Sequence, residues 1–373
     1  IKSREMIEQA ALAATNRRLE HLRTVLDKLQ AAAGDDENRW HELLPALTPS
    51  ERGRLLENLW RLTPDRSVAE AIVAVAGTFV LWIDPRQPQL IMRRVELGDD
   101  LGGLRSVGYA PERNALLIGA AQGVWLIGAD DGRILARFDT PDAAPQRTGY
   151  NEAVIHDGVL YATHSGLGAH RWNVDEPSDH AALLEPESGR PRTVRAVTAA
   201  PDGRIFFAAD ARVYFYDPQN DELVDHTSPG EVVYALSVEG PSLYVTTRSG
   251  KLLASPLNEP ARWTALHRAR EPIESITVRR WNDLAEIVVP SDAQGVVGVY
   301  GDEGVVVKLL EAPSPIRRAW ACDDAIVGLS ERRGELWIMS ADAPERVARE
   351  APIARDVGHS IQDACIVARA KSA

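Results

Sequence analysis

The chain has 373 residues, 45% hydrophobic and 26% charged, with a formal net charge of −12. That length suits two unequal domains with a sizeable core, and the acidic balance repels phosphate backbones, which disfavours general nucleic-acid binding. No run approaches the 18 apolar residues of a membrane span, and two cysteines, Cys322 and Cys365, are too few for a disulfide-built secreted domain.

Residues 1–66 differ from the rest. From Ser3 to Ala33 the composition is Ala, Leu, Glu, Arg and Gln, all good helix formers. Leu12, Leu19 and Leu26 recur every seven residues, with Leu22 and Leu29 between them, which makes a short heptad seam. Gly34 and Asp35 end it. A second short helix is expected over 37–44. A third starts with Thr48 as N-cap, Pro49 at the first helical position and Glu51 three residues after the cap. So many leucines on one face need a partner, either the rest of the chain or a second protein. Leu12, Leu19, Leu22, Leu26 and Leu29 are the candidate helical interface. The charged, helical start is unlike a signal peptide, and the expected compartment is the cytoplasm.

From about residue 69 the pattern changes to short strands separated by Gly, Pro, Asp and Asn. The segment Leu104-Arg105-Ser106-Val107-Gly108-Tyr109-Ala110-Pro111 matches Val194-Arg195-Ala196-Val197-Thr198-Ala199-Ala200-Pro201 in kind. Each leads through a tight turn to an apolar strand, a third strand, an Asp-rich turn and a fourth. Restarts near 104, 149, 194, 232, 273 and 316 lie about 40 residues apart, the period of a four-stranded propeller blade. Residues 71–98 resemble later strands of a blade and 359–369 its beginning. Joined, they give a seventh, composite blade, and closure removes free sheet edges. The expected architecture is mainly β: a seven-bladed β-propeller over 67–373, preceded by the α-helical segment 1–66. Cys322 and Cys365 are expected at equivalent places in neighbouring blades. Sheets pack about 10 Å apart, too far for a bridge between Cα atoms, so both are expected as free, buried thiols.

The segments Ala200-Pro201-Asp202-Gly203-Arg204 and Val124-Trp125-Leu126-Ile127-Gly128-Ala129-Asp130-Asp131-Gly132-Arg133-Ile134-Leu135 resemble blade segments of bacterial WD40-like and quinoprotein-like β-propellers. The resemblance covers about 69–369. The Gly-His and Trp-Asp dipeptides of true WD40 repeats are absent in register, and quinoprotein enzymes have more blades and a longer chain. The resemblance therefore implies the fold, and membership of a multi-protein complex as a prior, with a bacterial defence or signalling assembly as one setting.

The chemistry is sparse. His156, His164 and His170 fall in one blade, and a Gly-rich loop between His164 and His170 could bring those two together as weak metal candidates. Solvent-facing loop histidines are the blander expectation, with no metal and no cofactor. The first strand of each blade should line the channel, whose entrance by register carries Arg105, Asn151, Arg195, Tyr234, Glu274, Arg317 and Ser360. Three arginines against one carboxylate suit an anion or an acidic peptide, or a structurally paired ring. No nucleophile elbow or phosphate loop occurs. Trp82, Trp125, Trp172 and Trp337 fall in third strands and read as inter-blade packing, while Trp263 and Trp281 lie near loops and read as contact-surface candidates. The leading expectation is a non-enzymatic interaction or scaffold subunit, anchored through its helices to a protein partner or to its own copy. The alternatives are an anion or peptide sensor at the channel mouth and, third, a propeller lactonase or hydrolase with a bound metal.

Overall fold

The computed structural model describes residues 67–85, 91–98, 102–140, 148–185, 193–260, 262–281, 284–291, 295–300, 304–311, 315–322, 325–330, 335–340, 349–351 and 360–370. The helical segment 1–66, with its leucine seam, lies outside them.

Seven four-stranded antiparallel sheets form the fold. Blade 1 begins with Ser106–Ala110, blade 2 with Tyr150–His156 and blade 3 with Val194–Ala199. Blade 4 begins with Val233–Glu239, blade 5 with Thr277–Trp281 and blade 6 with Ile316–Cys322. In the seventh sheet the C-terminal strand Ile361–Ala370 lies innermost and pairs with Ser67–Ala76, followed by Phe79–Ile83 and Ile91–Glu96. Each innermost strand touches those of the blades on either side, so the ring is closed.

The core lies between the sheets. The second strands Ala115–Gly119 and Ile205–Ala209 are apolar throughout, and every residue of these two is buried. A strand covered on both faces has no solvent side to alternate toward. The outer strand Ile91–Glu96 does alternate, with one more buried face and one exposed face. Between blades 7 and 1, Val73, Val80 and Trp82 meet Leu116, Ile118 and Trp125. The Trp82 indole N–H donates to Ala129 O of blade 1 at 2.7 Å, so the ring contributes area and one cross-blade hydrogen bond. Trp125, Trp172 and Trp337 also sit buried in third strands. Trp263 is half-buried against the cluster between blades 3 and 4. The side chain of Trp281 lies outside the described residues.

One irregularity recurs and matters for function. In five blades the pairing of the innermost with the second strand skips one residue at the same place. The skipped residues are Asn151, Arg195, Tyr234, Arg317 and Gln362. Each is the extra residue of a β-bulge, which bends the strand and re-aims a side chain.

Candidate functional site

The bulges gather most of the candidate ring. Asn151, Arg195, Tyr234 and Arg317 are bulge residues, and Arg105 directly precedes the inner strand of blade 1, its N–H donating to Gly119 O at 2.8 Å. The seventh member is Gln362, not Ser360. Ser360 is exposed ahead of the strand, and the inner strand of blade 7 starts two residues later than its sequence pattern suggested. The same slip corrects the cysteines: Cys365 matches Trp320 in register, and Cys322 matches Val367. Cys365 is a buried free thiol, and burial raises its pKa. The side chain of Cys322 lies outside the described residues.

Ring members lean on their neighbours. Asn151 Nδ2 donates to Val194 O at 2.8 Å. The Arg195 guanidinium lies 4.7 Å over the Tyr234 ring, and Arg317 donates to Gln362 O. Each contact joins one blade to the next, so the polar ring also fastens the closure.

The position after each of these ring residues forms a second ring: Ser106, Glu152, Ala196, Ala235, Ser275, Arg318 and Asp363. Its side chains run from blade to blade. Val107 N–H donates to Asp363 Oδ2 at 3.0 Å, Val197 N–H to Glu152 Oε2 at 3.1 Å and Ala319 N–H to Ser275 Oγ at 2.9 Å. Ser106 Oγ donates to Tyr150 O at 2.9 Å. Small residues suffice for such stitching, and four of the seven are Ala or Ser. Glu152, Arg318 and Asp363 are the exceptions.

Arg318 Nη1 reaches Asp363 Oδ1 at 2.6 Å. Its pKa is raised first by Asp363 and further by Glu152 and Glu274, so one guanidinium faces three carboxylates. Burial pushes the Glu152 carboxyl up to about 7, against the pull of Arg318 and of the Val197 N–H. These groups surround a cavity of about 280 Å³ whose walls also include Asn151, Tyr109, Trp320 and Ala235. Of the entrance residues inferred from sequence, Asn151 and Glu274 line it. The interior is therefore acidic, whereas the entrance was expected to be basic. Sequence reasoning missed Glu152, Arg318 and Asp363: the first two lie one residue beyond Asn151 and Arg317, and Asp363 lies three beyond Ser360. The available signal was charge at a place where four blades carry Ala or Ser.

A raised carboxylate pKa has a definite sign. Between about 4.5 and 7 the folded chain holds a proton on Glu152 that the unfolded chain has lost, so stability falls as pH rises through that window. Glu152→Gln keeps an acceptor for Val197 N–H and removes the ionisation. Urea unfolding should find it more stable than the parent at about pH 8, by roughly 1–3 kcal/mol, with no gain at about pH 5. An equal gain at both pH values would refute the assignment.

His164 and His170 are buried rather than solvent-facing, while His156 is half-buried. His164 Nδ1 accepts from the Gly166 and Leu167 N–H groups at 2.9 Å each, and its Nε2 lies 3.2 Å from Ala121 O. Nδ1 thus holds the turn to Gly168, and Nε2 ties it to the neighbouring blade. There φ is 95°, and an added Cβ would fall 1.5 Å from Leu184 O, so only glycine fits. His170 shares a 3.0 Å hydrogen bond with His180 and stacks on Trp172. Burial lowers His164 and His170 to about 4, so both are neutral at pH 7. Among the described residues, no group of three or more His, Cys, Asp or Glu is placed to hold a metal ion.

No protein-family model matches the sequence, and no curated protein does. Solved structures show the fold. The β-propeller domain of Cps50 (Swd1) from Myceliophteria thermophila is similar with a TM-score of 0.53 at 12% identity, over 74% of this chain and 99% of that one. The computationally designed protein Ika8 aligns over 66% of this chain and 86% of its own, with 13% identity and a TM-score of 0.45. The chain is a seven-bladed β-propeller with a WD40-like fold. Among the described residues, no helix is long and apolar enough to cross a membrane.

Proposed function

We propose that this chain is a non-catalytic interaction subunit of a larger assembly, with the propeller as a rigid recognition platform and the helices of residues 1–66 as its anchor. The observation that supports this most is the ring of bulge residues. Five blades expend the same backbone irregularity to set polar side chains at one end of the inner strands, and neighbouring blades hold them there. A preorganised polar rim lowers the ordering cost of binding, and propellers commonly serve as protein-interaction platforms.

The anchor is tested in the full chain. Leu19→Glu with Leu26→Glu places two charges in the leucine seam. Mass photometry of the tagged protein recovered from its host should show a species heavier than the monomer for the parent and monomer alone for the variant. Melting curves should coincide, because the propeller is untouched. A heavier species that survives the double substitution would overturn the anchor, and a parent that is monomeric throughout would overturn the assembly reading.

A further inference from the structure

We propose that the cavity on the propeller axis binds a small organic cation, a primary ammonium or guanidinium carried on a short aliphatic or aromatic body. The inference does not depend on the partner reading above, because it concerns the inside of the ring.

The charge count comes first. Glu152, Glu274 and Asp363 surround a single guanidinium, Arg318. Arg318 is committed to Asp363 at 2.6 Å. Among the described residues that leaves Glu152 and Glu274 without an ion-pair partner of their own, in a site where water screens weakly, and an added positive charge offsets that deficit. An anion meets the opposite situation, since three carboxylates outnumber the one guanidinium.

The walls come second. Tyr109 and Trp320 line the cavity, and aromatic faces beside carboxylates favour ammonium and guanidinium groups over hydrated inorganic cations. The opposite side is built from Val197, Ala235 and Leu236, with Ala235 in the ring position where Arg318 and Asp363 carry charge. A few charged groups among small, apolar and aromatic side chains is the usual composition of a ligand site. The cavity of about 280 Å³ has room for about nine non-hydrogen atoms at the ~30 Å³ that a water occupies.

Glu152 makes the site pH-dependent. It is faced by Arg318 from blade 6, Asp363 from blade 7 and the Val197 N–H from blade 3. Protonation removes one of the two uncompensated charges, so binding weakens as pH falls below about 7.

The test uses the full chain and three probes, butylammonium, butylguanidinium and benzylammonium, with butyrate and inorganic phosphate as controls. Titration calorimetry with saturation-transfer NMR should find at least one cation binding at one site per chain at about pH 8, more weakly at about pH 6, and neither control binding. Glu274→Gln should weaken binding about tenfold, and Ala235→Leu should abolish it by filling the small wall. Circular dichroism establishes that each variant is folded, and if Ala235→Leu is not, Glu274→Gln and the pH dependence carry the test. No binding by any probe at about 10 mM, affinity unchanged by Glu274→Gln, or preference for phosphate or butyrate would each overturn the proposal.

Discussion

Removing residues 361–373 is expected to abolish the folded propeller. The deletion takes away the innermost strand of the seventh sheet, which pairs with Ser67–Ala76 along almost its whole length. Ile361, Ala364, Cys365 and Val367 are buried, and they feed the clusters on both sides of the sheet. Full burial of a large aliphatic side chain contributes about 1.5–3 kcal/mol. Losing these four, the Arg318–Asp363 pair and the Val107 N–H bond together approaches the roughly 5–15 kcal/mol that holds a typical domain. The deletion also leaves the strand Ser67–Ala76 with an unpaired inner edge, a template for aggregation. Size-exclusion chromatography should show aggregate or an expanded monomer, and circular dichroism no cooperative melt. A synthetic peptide of residues 360–373 should restore a cooperative transition, since pairing needs no covalent link. A truncated protein melting within a few degrees of the full chain would show that blade 7 closes the ring without this strand.

Much of this architecture is legible before any coordinate. The expected restarts near 149, 194, 232 and 316 lie at the observed Tyr150, Val194, Val233 and Ile316. They are clear because turn residues bracket each strand and a largely apolar second strand follows each restart. The largest offset is at Thr277, where the approach through 273–276 is not strand. The site was harder to read, and the bulge explains why. Side-chain period in a strand is two, but a skipped residue breaks it, so Asn151 and Glu152, or Arg317 and Arg318, cannot be sorted between channel mouth and channel wall by alternation. In blade 7 the run Ile361-Gln362-Asp363-Ala364-Cys365 carries the same break. Counting from His359 then placed Ser360 where Gln362 stands and matched Cys365 with Cys322. The histidines misled for another reason. A Gly-rich turn reads as exposed, yet His164 closes this one from inside by accepting two backbone N–H groups.

Arg318→Met is the point substitution with the largest expected effect. Methionine keeps much of the stem's apolar contact and removes the charge, so the loss reports the guanidinium. Asp363 then keeps only the Val107 N–H as a partner, while Glu152 and Glu274 face each other's field with no cation between them. Breaking one side of a buried pair costs about 3–5 kcal/mol, and in a chain of this size that is a fall in Tm on the order of 10 °C. The pH dependence separates charge from packing. With the cation gone, the Glu152 carboxyl loses the charge that holds it down and its pKa rises further above the unfolded value, so the variant should lose most above about pH 7 and little near pH 5, where Glu152 is protonated in both proteins. Adding Asp363→Asn should recover part of the loss, because the amide oxygen still accepts from Val107 N–H without a charge to compensate. A double-mutant cycle then gives the coupling between blades 6 and 7. If Arg318→Met costs the same at both pH values and Asp363→Asn adds its full single-variant cost, the two side chains act only through packing, and the acidic character argued for the axial cavity fails with them.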